Sequence, residues 1–328
     1  MTYSVNPLLL AKVLLPVLCV LCMLLVPSMK SYASVQPWTK GADMPTARSD
    51  SAVTNIGEDI YVVGGLDQHG DAMHVVEVYN VKNNSWKSVA SLPRELHHTA
   101  AASFNGKLYV VGGFIAHEWI PTNQLFVYDP ITNKWSEGKS MPTARGALTA
   151  VFANGTLYAM GGQSNRVLNI NEAYDAVNDN WVTREPMQTA RHHAASAVVD
   201  NKIYVIGGRT TMYSATENVN VNEVFDTKTE KWTEAQAMPS ERSGIWAAAI
   251  NSSFFVFGGE DLTRIYGNNE EYDAQRDTWL SREPMPTPRH GLVVVSVDNR
   301  IFVIGGAREP GPGLSDINEI YSPGAKRN

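Results

Sequence analysis

The sequence predicts an all-β fold assembled from six copies of one four-stranded unit. Three observations carry this. Gly-Gly pairs recur six times, at Gly64-Gly65, Gly112-Gly113, Gly161-Gly162, Gly207-Gly208, Gly258-Gly259 and Gly305-Gly306, each directly after a strand-like run (YVV, YVV, YAM, YVI, FVF, FVI). Tryptophan recurs in step with them, at Trp38, Trp86, Trp135, Trp181, Trp232 and Trp279. The distance from each Trp to the first following Gly of a pair is 26 residues in all six units. Self-similarity of this period identifies a repeat architecture, in which each unit buries its apolar faces against its neighbours.

Within a unit the spacings separate packed elements from loops. An aromatic residue (Tyr79, Tyr128, Tyr174, Phe225, Tyr272) stands 7 residues before the next Trp in all five complete cases. Between the Gly-Gly pair and that aromatic the distance varies from 13 to 18 residues. Constant spacing marks packed structure, and variable spacing marks surface loops. The four predicted strands are a small apolar run such as SAVTNI, the run ending in Gly-Gly, a run ending near the Tyr, and a run starting at Trp. Asn105-Gly106 and Asn154-Gly155 supply the turn between the first two.

The pieces MPTAR, NGTLYAMGG and NEAYDAVNDNW of the third unit resemble the kelch repeat, and the likeness extends over residues 34–328. It implies a six-bladed kelch-type β-propeller in one domain. Trp38 precedes the first full unit, and the last unit stops at Tyr321-Ser322 without its Trp. The segment Val35–Lys40 is therefore expected to supply the outer strand of the last blade and close the ring, which removes a free sheet edge.

Residues 13–27, VLLPVLCVLCMLLVP, form an uncharged apolar run preceded by Lys12 and followed by Ser31-Tyr32-Ala33. This is the pattern of a secretory signal cleaved after Ala33, with residues 1–33 removed and 34–328 exported to the periplasm or the exterior. The run is shorter than the roughly 20 residues of a membrane span, so no membrane insertion is expected after cleavage; an uncleaved anchor is the alternative. Both cysteines, Cys19 and Cys22, lie inside it, so the exported chain has no thiol chemistry and suits an oxidising compartment. The net charge of −6 excludes a general nucleic-acid binder.

Residues that recur in register are read first as scaffold. An Arg stands ten residues after the Trp in five units (Arg48, Arg145, Arg191, Arg242, Arg289), with Leu96 in its place in the second. A Glu stands two residues before the aromatic in five (Glu77, Glu172, Glu223, Glu270, Glu319), with Phe126 in its place in the second. These are expected to make charge-assisted hydrogen bonds that hold neighbouring loops.

Candidate ligand-binding residues lie where the repeat varies. His97, His192 and His290 occupy the position after the Arg in units two, four and six, and His98 and His193 follow directly. The resemblance places the loop before the first strand and the loop after Gly-Gly on one face around a central channel. Alternate blades lie a third of a turn apart, so these three histidines are expected to converge on the channel mouth. Converging imidazoles suit a divalent metal, a pH-sensitive anion site or general acid/base work, or are hydrogen-bonded at the strand start and purely structural. The loops after Gly-Gly add His117, Trp119, Arg166, Arg209, Tyr213, Glu260 and Arg308. An aromatic platform beside Arg, Glu and His suits a sugar or a peptide.

No phosphate-binding glycine loop, HExxH or GxSxG is present, so no cofactor and no resident metal is expected. The resemblance implies an extracytoplasmic binding module, a monomer that recognises a protein, peptide or glycan on the loop face. The alternative it implies is a cofactor-independent sugar-active enzyme similar to the sialic-acid epimerases (mutarotases) among periplasmic kelch propellers. There His97, His192 or His290 would act with a carboxylate such as Glu118, Glu260 or Glu309, and an Arg would hold the substrate.

Overall fold

Short strands rich in Val, Ile, Tyr and Ala, broken by Gly and Asn turns, pair with their sequence neighbours into antiparallel meanders. The structure is a computed structural model that describes residues 1–2, 36–115, 117–212, 215–311 and 313–324. The expected signal segment, 1–33, lies outside the described residues apart from its first two. Among the described residues the strands form six four-stranded sheets, the blades of a six-bladed propeller, and one two-stranded hairpin. The inner strands are Ala52–Ile56, Ala100–Phe104, Thr149–Ala153, Ala195–Val199, Trp246–Ile250 and Val293–Val297. Their small side chains line the central channel.

The sixth blade is completed from the other end of the chain. Its sheet runs Val293–Val297, Arg300–Ile304, Asn318–Tyr321 and then Trp38–Lys40. The register is Trp38 with Tyr321, Thr39 with Ile320 and Lys40 with Glu319. The ring closes as the repeat phase predicts.

The repeated glycines are explained by contact between blades. In blade one, Gly64 and Gly65 both lie in the left-handed region, with φ of 60° and 112°. A Cβ on Gly64 would meet the Leu96 carbonyl oxygen of the next blade, while the Gly65 amide donates to that same oxygen at 2.9 Å. The corresponding bond repeats around the ring, and Gly306 to Arg48 closes it. Farther out, each repeat Trp donates its indole N–H to the carbonyl four residues beyond the preceding Trp, at 2.7 to 3.1 Å, with Trp38 to Glu283 closing that circle.

The five repeat arginines are buried and paired in their own blades with the repeat glutamates: Arg48–Glu77 at 2.5 Å, Arg145–Glu172 at 2.5 Å, Arg191–Glu223 at 3.0 Å, Arg242–Glu270 at 2.6 Å and Arg289–Glu319 at 2.8 Å. Each guanidinium also donates to a carbonyl of the second strand, such as Val62, Ala159 or Val205. Blade two replaces both partners at once. Leu96 and Phe126 are buried in one apolar cluster where the other blades hold an ion pair. A buried pair exchanged as a unit for apolar groups leaves no orphaned charge.

Two outcomes follow for stability. Deleting residues 36–40 unpairs the edge of blade six and removes the Trp38 side chain from between Phe257 and Tyr321. We expect urea denaturation to show a loss of at least about 3 kcal/mol, the cost of losing a large packed aromatic alone. Leu96→Arg buries an unpaired charge and should cost about 3–5 kcal/mol, and Phe126→Glu added to it should restore part of that loss in a double-mutant cycle.

Candidate functional site

The loop that enters each inner strand begins with the clamped Arg position. The next residue forms a β-bridge with the residue after Gly-Gly: Ser49 with Leu66, His97 with Phe114, Gly146 with Gln163, His192 with Arg209, Ser243 with Glu260, and His290 with Ala307. The residue after that turns into the left-handed region in every blade: Asp50, His98, Ala147, His193, Gly244 and Gly291 have φ between 52° and 65° apart from His98 at 49°. Their amides and carbonyls link into a closed circle. Each N–H donates to the carbonyl of the equivalent residue in the preceding blade at 2.8 to 3.1 Å, and Asp50 to Gly291 completes it. Side chains from this amide ring surround the propeller axis, and only Asp50, His98 and His193 carry polar ones.

Above the ring lies a basin of about 780 Å³ on the loop face. Below it the lumen narrows to about 40 Å³ between Leu148, Ile245, Leu292 and Trp246. Trp246, one of the two tryptophans outside the repeat register, borders both this neck and the wider channel beyond. The basin is therefore a pocket with a floor.

The floor is a hydrogen-bonded network. His98 Nε2 lies 3.2 Å from Asp50 Oδ1, and its Nδ1 lies 2.7 Å from His97 Nδ1. His193 Nε2 lies 3.0 Å from Arg209 Nη2, and its Nδ1 lies 2.6 Å from His192 Nδ1. Arg209 also meets Glu260 at 3.3 Å, and His290 Nε2 lies 3.5 Å from the other oxygen of Glu260. Donor rules fix the tautomers along one arm. Arg209 only donates, so neutral His193 accepts at Nε2 and carries its proton on Nδ1. It gives that proton to His192 Nδ1, whose Nε2–H then donates to the Thr211 carbonyl at 2.7 Å.

Burial keeps His98, His193 and His192 neutral. It pushes His98 and His193 well below the usual histidine range, and the Arg209 charge pushes the same way. His192 is lowered to about 4, chiefly by burial.

The structure brings His98, His117, Trp119, His193, Arg209, Glu260 and His290 together around the basin. His97 and His192 are a correction. They do not line the basin but stand behind His98 and His193, whose rings come between them and the axis and whose Nδ1 atoms they meet. His290 shares their register, but its neighbour is Gly291, and its ring reaches the basin and Glu260. Arg166 and Arg308 are exposed and take no part in the lining, and Tyr213 lies outside the described residues. Glu118 is exposed; Glu309 contributes its carbonyl, which accepts from His290 Nε2 at 2.9 Å. Asp50 was not singled out from the sequence, although it occupies the same ring position as His98 and His193. Trp119 is 39% exposed and forms a wall against His97 and His98, with ring centroids 4.8 and 4.6 Å apart. His117, also exposed, lies 3.4 Å from Asp71 of the neighbouring loop.

Comparison with known proteins agrees with the fold. A family model described as the calicin β-propeller domain matches residues 59–252. A second, described as the KLHDC2/KLHL20/DRC7 Kelch-repeats domain, matches residues 192–322. The protein is a repeat propeller, and the chain belongs to the kelch-repeat β-propeller family. Beta-scruin of Limulus polyphemus is 36% identical over 102 residues, 30% of this chain and 11% of that protein. An F-box/kelch-repeat protein of Arabidopsis thaliana is 40% identical over 76 residues, 23% of this chain and 20% of that protein. The chain thus matches only about a tenth to a fifth of the length of these relatives. The solved structure of YjhT superposes with a TM-score of 0.73 over 84% of this chain and 95% of that one, at 16% identity, a likeness of fold alone.

The floor makes stability pH-dependent. His192 titrates at about 4 when folded against an ordinary 6.5, so below 6.5 the unfolded chain binds more protons and stability falls. This one group should cost about 2 kcal/mol by pH 5 at 1.36 kcal/mol per pH unit, and the full stability should be present above pH 7. Urea denaturation at pH 7.5 and pH 5 checks this, with His192→Gln expected to reduce the difference.

Proposed function

We propose that the protein is an extracytoplasmic binding module that takes a peptide or glycan segment of its partner into the loop-face basin. The observation that carries this is the basin itself: a rigid pocket stopped by Trp246, with a polar floor and the exposed face of Trp119 as a wall. Apolar walls with a few fixed polar groups are the usual make-up of a ligand site. The aromatic wall supplies contact area at low entropy cost. Export rests on the apolar N-terminal run at 13–27 and on the lack of cysteine beyond Cys22.

Charge narrows the ligand. Asp50, Asp67, Glu260 and Asp261 line the basin against the single guanidinium of Arg209. The nearby Arg264 is held by Asp261 at 2.9 Å. Neutral or cationic groups suit this surface, and acidic ones are opposed.

One observation favours a sugar isomerase as the second reading. Two imidazole–carboxylate pairs, His98 with Asp50 and His290 with Glu260, flank one arginine on the same floor. Such pairs are suited to moving protons to and from a sugar ring. NMR exchange between anomers, measured with and without protein, tests it, and no acceleration for any sugar would remove it.

The binding reading is tested by a thermal-shift panel of neutral sugars, sugar acids, and basic and acidic peptides on the purified protein. We expect a rise of several degrees with neutral or basic members at about 100 times their dissociation constant, equivalent to roughly 2.7 kcal/mol. Trp119→Ala should weaken that ligand about tenfold, roughly 1.4 kcal/mol, in a protein that circular dichroism shows still folded at the assay temperature. A shift that survives Trp119→Ala intact would place binding elsewhere.

A further inference from the structure

We propose that Asp50, His98 and His193 form a binding site for one divalent transition-metal ion, with zinc as the best-suited member, on the propeller axis at the floor of the basin. One ligand atom from each residue can be chosen so that all three lie within 4.8 Å of one another. The His98 Nε2 to Asp50 Oδ1 separation of 3.2 Å is close to the edge of a tetrahedron with zinc at its centre, about 3.3 Å for bonds of 2.0–2.1 Å. Two imidazoles and one carboxylate leave the fourth position facing the basin, the arrangement of an open zinc site.

The surroundings supply what a metal-bound histidine needs. A ligating imidazole is oriented by a partner on its other nitrogen. Here the partners are His97 for His98, at 2.7 Å, and His192 for His193, at 2.6 Å. The backbone of all three residues is fixed by the amide ring. Gly291 leaves space for the carboxylate, since a Cβ there would come within 2.7 Å of Asp50 Oδ1.

His193 Nε2 already presents a lone pair, occupied by Arg209. His98 frees its Nε2 by taking the tautomer with its proton on Nδ1, which donates to His97 Nδ1, while His97 moves its own proton from Nδ1 to Nε2; each ring keeps one proton, so this step releases none. Arg209 is the competitor, and its bond to Glu260 gives it a second anchor when the metal displaces it from His193. The site shares its floor with the proposed ligand basin but does not depend on which ligand that basin takes.

The test is calorimetric titration of chelator-treated full-length protein with zinc chloride, and cobalt(II) absorption of the same sample. We expect one equivalent bound and visible cobalt bands of a four-coordinate site. Asp50→Asn and His193→Gln should each weaken zinc at least a hundredfold, with melting curves confirming the fold. Arg209→Gln should tighten zinc about tenfold, a change of sign that misfolding cannot produce. Absence of binding at 100 µM zinc (roughly 5.5 kcal/mol of affinity) would overturn the site. So would binding unchanged in Asp50→Asn and His193→Gln, which would place the metal outside the floor of the basin. Repeating the sugar and peptide panel with and without zinc separates the two proposals: a ligand shift in a protein that takes no metal keeps the basin and rejects the metal.

Discussion

The structure depends on each blade being fastened to the next at three distances from the axis. Nearest the axis is the amide ring of Asp50, His98, Ala147, His193, Gly244 and Gly291. Next come the Gly-Gly amides, which reach the carbonyl of the following blade's Arg position. Farthest out are the six indole bonds. Each circle contains one link between distant parts of the chain: Asp50 to Gly291, Gly306 to Arg48, and Trp38 to Glu283. A propeller joined at all three radii has no blade that can rotate alone, so the loops above it are held on a rigid base.

The buried ion pairs serve a narrower purpose. Each binds the entry loop of an inner strand to the second and third strands of the same blade. Blade two does the same with Leu96 and Phe126. Charge is therefore not required at this place, only a filled volume with no unpaired group. That agrees with the general finding that a buried ion pair and an apolar replacement of similar size stabilise comparably. The entry loop of blade two carries His97 and His98, and with this substitution it still holds His98 in the floor of the basin.

How far the sequence could be read follows from which features are constant. The Gly-Gly and Trp spacings and the missing last Trp are invariants of packing, and they define blade number and closure without a structure. The replacement at Leu96 and Phe126 was visible as two separate breaks in the pattern. Their being partners appears only when the strands are adjacent. The floor was legible in its residue types but not in its orientation. Alternation along a strand suggests that of two adjacent histidines either one faces inward. The choice is made by a left-handed backbone at His98 and His193, and that follows from the ring of amides rather than from any local signal. Asp50 escaped notice because its equivalents are His, Ala and Gly, a column without a shared chemistry. The shared property is conformational.

That property limits what the axis can carry. A residue in the amide ring must accept positive φ, which is tolerated most readily by glycine and, among the others, by asparagine, aspartate and histidine. Branched and bulky apolar side chains are strained there. The backbone that closes the propeller thus selects a small alphabet for its centre: no side chain, the single methyl of Ala147, or a side chain that binds protons, metals or hydrogen-bond donors. Six stations with that alphabet allow the chemistry at the mouth of the channel to change from one sequence to another by single substitutions, while the blades that hold it stay the same.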